Sequence, residues 1–300
     1  MRYAPVVVRR LPRLKIKAAI TCGLLVIALS IHFAKAQEIK PFGQLLNISS
    51  RLYTGTGDNS LIVGFIITGT DSKNLIVRAL GPSLTSYGVS DALADPTVEL
   101  HDHTGVIIAA NDNWKDTQQA QIVATHLAPA DDRESAIMAT LAPGAYTAIA
   151  RGAAGSAGIV LLEVYDLDRN ANARLANVSA RGFVDLGDNL LIGGAILGGG
   201  NGGVNIVIAR ALGPSLGAFG IQDAMQDPFL ELHNQDGTLV DSNDDWKQGN
   251  QQAILDNHLA PSDDREPAIF AILPPGAYTA IVRGKNNATG IALVEFYNLR

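Results

Sequence analysis

The sequence predicts an all-β protein built as two tandem β-sandwich domains of jelly-roll type, each with at most one short helix. Three observations carry this. The chain repeats itself, since HLAPADDRESAIMATLAPGAYTAIARG at 126–152 returns as HLAPSDDREPAIFAILPPGAYTAIVRG at 258–284 with 21 of 27 positions identical. Its apolar residues fall in short runs rich in branched side chains, bounded by Gly, Pro, Asp and Asn. Only one segment per repeat reads as a helix, so the layers are expected to be sheets packed on sheets.

In chain order, residues 1–36 read as an export signal. Arg2, Arg9, Arg10, Arg13, Lys15 and Lys17 form a basic n-region, Ala18 to Phe33 an apolar core, and Ala34-Lys35-Ala36 a cleavage site. The apolar run is short against the ~20 residues a spanning helix needs. Cleavage is expected, with an uncleaved anchor as the alternative. Thr21 precedes Cys22 and apolar residues run on past it, so lipidation is not expected. The mature chain then lies outside the cell or in the periplasm, with no membrane span.

Removal of the seven basic residues of that segment leaves 16 basic against 29 acidic residues, a net charge of −13. Such a surface repels phosphate backbones, which argues against nucleic acid as a partner. The mature part holds no cysteine, so disulfides and thiol catalysis are excluded and stability must come from core burial.

The repeats are domain-sized: 46–167, then a polar linker DRNANARL at 168–175, then 176–300. RALGPSL at 78–84 returns at 210–216, while GDN at 57–59 returns at 187–189, two residues out of step. The Gly-rich LGGGNGG at 197–203 is the expected place of the insertion, because turns tolerate it. Within the first repeat LIVGFIITG (61–69) and NLIVRAL (74–80) read as strands. TVELH and VIIAA flank a turn from Asp102 to Gly105. The helical segment is DTQQAQIVATHL (116–127), matched by GNQQAILDNHL (249–259), each stopped by the Pro that follows. AYTAIAR after Pro143-Gly144 is another strand. IVLLEVY, apolar on both faces, is expected to be central.

The order D-P-x-x-E-L-H, a Gly turn, a short strand, N-D-[ND]-W, then L-x-P-G-A-Y-T-A-I-x-R-G and an apolar last strand resembles bacterial pre-peptidase C-terminal (PPC-like) domains. The likeness covers about 95–165 and 227–297. The start of each repeat departs from it. The whole unit resembles tandem repeats of unknown function in secreted proteins of environmental bacteria. This resemblance implies export and a β-sandwich, and it implies no reaction.

Candidate chemistry sits in the duplicated polar clusters. Asn111, Asp112 and Asn113, with Asn243, Asp244 and Asp245, offer the oxygen ligands that Ca2+ takes, and Asp102, Asp236 and Asp241 stand nearby. The spacing is not that of an EF-hand. The plainer reading is that these residues make turns by bonding to their own backbone. Trp114 and Trp246 are expected as core anchors beside those turns, with stacking on a sugar ring as the alternative. Asp131-Asp132-Arg133-Glu134 and Asp263-Asp264-Arg265-Glu266 read as solvated turns with local ion pairs rather than paired glycosidase carboxylates.

No metal-binding His motif, nucleophile elbow or phosphate loop occurs around His126, His258, Ser83, Ser215 or Gly198 to Gly203. Asn47, Asn177 and Asn287 fit the glycosylation pattern, which means little if the source is bacterial. Charges inside apolar strands demand partners, and the repeat suggests Arg78 with Glu163 and Arg210 with Glu295, Arg151 and Arg283 competing. The expected function is an exported, non-enzymatic binding, adhesion or structural module, its ligand a glycan or a surface protein. The alternative is a secreted hydrolase, or an accessory subunit of one, acting on polysaccharide or peptide.

Overall fold

A computed structural model describes residues 43–55, 59–187, 189–199 and 203–299. The expected export segment, two residues of the first GDN, one of the second and the middle of the Gly-rich insertion lie outside these. The first repeat supplies β1 (Leu45–Thr54), β2 (Leu61–Gly69), β3 (Lys73–Leu80), β4 (Pro96–His101), β5 (Ile107–Asn111), α1 (Gln119–Ala124), β6 (Ser135–Leu141), β7 (Gly144–Gly152) and β8 (Gly158–Asp166). The second supplies β9 (Ala173–Val184), β10 (Leu191–Leu197), β11 (Asn205–Leu212), β12 (Pro228–Asn234) and β13 (Leu239–Asn243). It continues through α2 (Gln251–Asp256), β14 (Ala268–Leu273), β15 (Gly276–Gly284) and β16 (Gly290–Asn298). The protein is mostly β, with few and short helices. The last residues of the expected linker are already strand, since Ala173, Arg174 and Leu175 open β9; only 168–172 turn.

All sixteen strands join one antiparallel network. Its pairings follow two tracks, β6-β3-β8-β1-β10-β15-β12-β13 and β14-β11-β16-β9-β2-β7-β4-β5, linked by the single pair Leu45↔Leu175. Each track takes four strands from either repeat. The repeats meet edge to edge twice, at β1–β10 and at β2–β9.

Period-two patterning places the core. Leu61, Val63, Phe65 and Ile67 of β2 are buried on one face, as are Val98 and Leu100 of β4. They join one cluster that runs through both repeats, from Leu45 and Leu52 to Val294 and Phe296. β8 is buried on both faces, as its unbroken apolar run requires, because a second layer covers its outer side. Over Ile159 and Leu161 that layer is the β3–β4 connection with Leu84, Val89 and Ala92, and over Tyr165 it is the segment between β5 and β6. Its Trp114 and Ile122 pack on Ile76 and Ala136, and Trp246 and Ile254 do the same on Ile208 and Ala268. Helix α1 is therefore a lid over the sheet, held by one buried face residue rather than by its own six-residue length.

Candidate functional site

The duplicated clusters sort into those that close on the protein's own backbone and those that do not. Asn111 ends β5 with its amide turned inward. Its Oδ1 accepts from the Ala136 amide at 2.9 Å and its Nδ2 donates to the Asn113 carbonyl at 3.0 Å. Asn243 repeats both bonds with Ala268 and Asp245. These two side chains tie an edge strand to the sheet opposite. Asn113 reaches Asp116 at 3.3 Å, and Gln248 donates to Asp245. Asp102 accepts from the Thr104 amide and hydroxyl and from the Val106 amide, which closes the β4–β5 turn and holds its carboxyl below the usual range. Asn234 takes that place in the second repeat.

Asp112 and Asp244 are what remains. Burial, and then the neighbouring Asp95 and Asp116, push the Asp112 carboxyl above its ordinary value. The Asp95 Oδ1 is buried without a hydrogen-bond partner among the described residues. In the second repeat the matching carboxylates, Asp227 and Asp244, face the ammonium of Lys285. It bonds Asp244 and lies 3.9 Å from Asp227. The residue in that place in the first repeat is Ala153, whose amide donates to the Asp95 carbonyl as Lys285's does to that of Asp227. So one corner carries its own cation and the other does not. Among the described residues, no group of three or more His, Cys, Asp or Glu is placed to hold a metal ion.

The acidic tetrad divides differently from the sequence expectation. Asp131 pairs with Arg133 inside the turn, and Asp132 meets Lys115 at the surface. Glu134, however, is wholly buried. Its Oε1 accepts from the Gly81 amide at 3.0 Å, the Ser83 amide at 2.9 Å and the Ser83 hydroxyl at 2.5 Å. Glu266 holds Gly213 and Ser215 in the same way. The signal was in the sequence: a carboxylate and the G-P-S-L turn recur at fixed separation in both repeats, and a buried carboxylate needs several donors. Glu134 Oε1 and the Ser83 hydroxyl are thus engaged in holding this turn.

The strand charges pair as expected. Arg78 and Glu163 are register partners on β3 and β8, with Nε 2.7 Å from Oε2, and Arg210 and Glu295 match them at 2.5 Å. Each guanidinium also donates to a carbonyl of the overlying segment, Leu127 or Leu259, and lies over the ring of Tyr165 or Tyr297. Burial and the adjacent glutamate push both tyrosine hydroxyls up to about 12. Arg151 and Arg283 pair instead with Glu99 and Glu231, where His101 and His233 also bond. Trp114 is buried and donates to the Asp131 carbonyl, so it anchors the lid. One ion pair was not foreseen: Lys73, fully buried, bonds Asp166 at 2.9 Å, and the second repeat has the neutral Asn205 and Asn298 there.

No helix among the described residues is long and apolar enough to cross a membrane. No family model and no curated protein matches the chain. Among solved structures, it is 11% identical to a crystal structure described as the STIV MCP, over 84% of this chain and 97% of that one, with a TM-score of 0.23. A DUF4785 family protein from Legionella pneumophila is 9% identical over 85% of this chain and 84% of its own, with a TM-score of 0.21. Likenesses of this size carry no argument about fold or activity.

Proposed function

We propose that the chain is an exported, non-enzymatic binding or structural module made of two jelly-roll sandwiches that share their sheets. The pairing order within a repeat, β1-β8-β3-β6 against β2-β7-β4-β5, supports the jelly roll. The observation that carries the functional reading is the closure of the duplicated polar clusters. Glu134, Ser83, Asn111 and the Arg78–Glu163 pair, the residues best suited to chemistry, are each spent on holding a turn, a lid or a strand. The resemblance to PPC-like accessory modules agrees with this.

The test is to assay the whole chain on a panel of soluble polysaccharides and peptides for cleavage, and for binding by thermal shift with and without calcium. The expected result is binding without cleavage. Cleavage that Glu134→Gln abolishes without loss of folding would overturn the reading. Calcium is expected to act at the Asp95–Asp112 corner, where no lysine intervenes, and its effect should vanish in Ala153→Lys.

A further inference from the structure

The junction between the repeats carries one feature that both supply. A cavity of about 400 Å³ opens between the β1–β2 and β9–β10 connections, lined by Tyr53, Gly55, Asn59, Phe183, Asp185 and Asn189. These are three positions in each repeat, 130 residues apart. Each connection pins its asparagine by the backbone. The Gly55 amide donates to the Asn59 carbonyl at 2.8 Å, and the Asp185 amide to that of Asn189 at 2.9 Å. The buried Thr54 hydroxyl adds a second bond to the Asn59 carbonyl. Among the described residues neither asparagine side chain has a hydrogen-bond partner, so both carboxamides stand free in fixed frames.

The aromatics around it form a pattern. Among the described residues the exposed aromatic side chains are Tyr53, Tyr87 and Phe219, at 39, 83 and 82% exposure. All three lie at this end. Tyr53 pairs with Ile159, which packs with Leu84 of the 3-10 turn Pro82–Tyr87. Phe183 pairs with Ile291, which packs with Leu216 of the matching turn Pro214–Phe219. Two aromatic residues line the cavity, and one ends the 3-10 turn that packs on the strand partner of each.

We infer that this junction binds a neutral glycan, one pyranose unit in the cavity and its neighbours in the chain against Tyr87 and Phe219. The inference rests on the reading of the protein as a binding module and names its site. An aromatic ring offers the flat apolar surface that the C–H face of a sugar ring covers. A free carboxamide donates and accepts at once, which suits vicinal hydroxyls, and Asp185 supplies a further acceptor. The volume falls in the range of small-molecule sites. No basic residue is among the described residues that line the cavity, and its one charged group there is the carboxylate of Asp185, which disfavours a phosphate or an anionic lipid headgroup. Because half of the lining comes from each repeat, the site exists only where the two are joined.

The test is affinity electrophoresis of the whole chain through gels holding β-glucan, xylan, galactomannan or soluble chitin, followed by calorimetry with the trisaccharide of whichever polymer retards it. Tyr53→Ala, and separately Asn59→Ala with Asn189→Ala, should weaken trisaccharide binding about ten-fold, the loss of ~1.4 kcal/mol, with melting unchanged. Tyr87→Ala with Phe219→Ala should weaken the polymer and leave the trisaccharide alone. Retardation that survives both cavity variants overturns the site and leaves the module reading standing. Cleavage of the retarding polymer overturns the module reading and leaves the site. Retardation by none of the four, or binding to phosphatidylcholine vesicles that Tyr87→Ala with Phe219→Ala removes, overturns the glycan assignment.

Discussion

Arg78 shows how much one side chain settles in this protein. Its Nε meets Glu163 across two central strands, its Nη1 pins the lid at Leu127, and its plane covers Tyr165. Removing one partner leaves a nearly buried charge alone. Glu163→Gln is therefore expected to cost about 3–5 kcal/mol, and pairing it with Arg78→Met should recover much of that. A urea double-mutant cycle measures the coupling; additive effects would contradict it. The neighbouring tyrosines make a pH test. Burial first, then the glutamate, raises Tyr165 and Tyr297 to about 12 from an ordinary value near 10. The folded state keeps the proton longer, so the contribution is whole below pH 10 and is lost between 10 and 12. Unfolding free energy should fall across that window, and Tyr165→Phe with Tyr297→Phe should flatten the fall.

Edge strands also differ between the repeats. β5 presents Ile107 and Ile108, with Val106 just before it, each more than 40% exposed, followed by Ala109 and Ala110. The second repeat has Thr238 just before β13 and Leu239, Val240, Asp241 and Ser242 within it in the same places, and the aspartate discourages pairing with another chain. Heating should expose this difference. Ile108→Lys is expected to raise the onset of light scattering while changing stability by less than about 0.5 kcal/mol. An unchanged onset would mean that aggregation starts elsewhere. The glycines of the inner strands act in the opposite way, by admitting neighbours. A Cβ on Gly64 would lie 2.6 Å from the Ser179 hydroxyl, and one on Gly194 would lie 2.3 Å from that of Ser49. Both sit at the lines where the repeats meet.

For the whole molecule those lines decide cooperativity. The described residues form one compact unit, and the core cluster runs through both repeats. The whole chain is expected to melt in a single transition. Expressed alone, residues 176–300 would uncover the edges of β9 and β10 that β2 and β1 now occupy. Such a fragment should melt at lower temperature or associate through those edges. Sedimentation and calorimetry distinguish this from two independent halves, for which the fragment would be monomeric and as stable as the whole.

What could be read from the chain alone was local or repeated. The strands of LIVGFIITG and IVLLEVY, the short helices, the buried tryptophans and the Arg78–Glu163 pair follow from period, turn residues and the cost of an unpaired charge in an apolar strand. Placement across long separations was not legible in this way. Pairing rules say that β1 needs an edge to join, and they do not say that the edge is β10, almost 140 residues on. For the same reason Glu134 looked solvated until its turn was seen folded against Gly81 and Ser83. Tyr53 and Phe183 had no relation until the shared sheets brought two connections together. Each side chain's chemistry is written in its own position, and the company it keeps is decided by which strand edges close on one another.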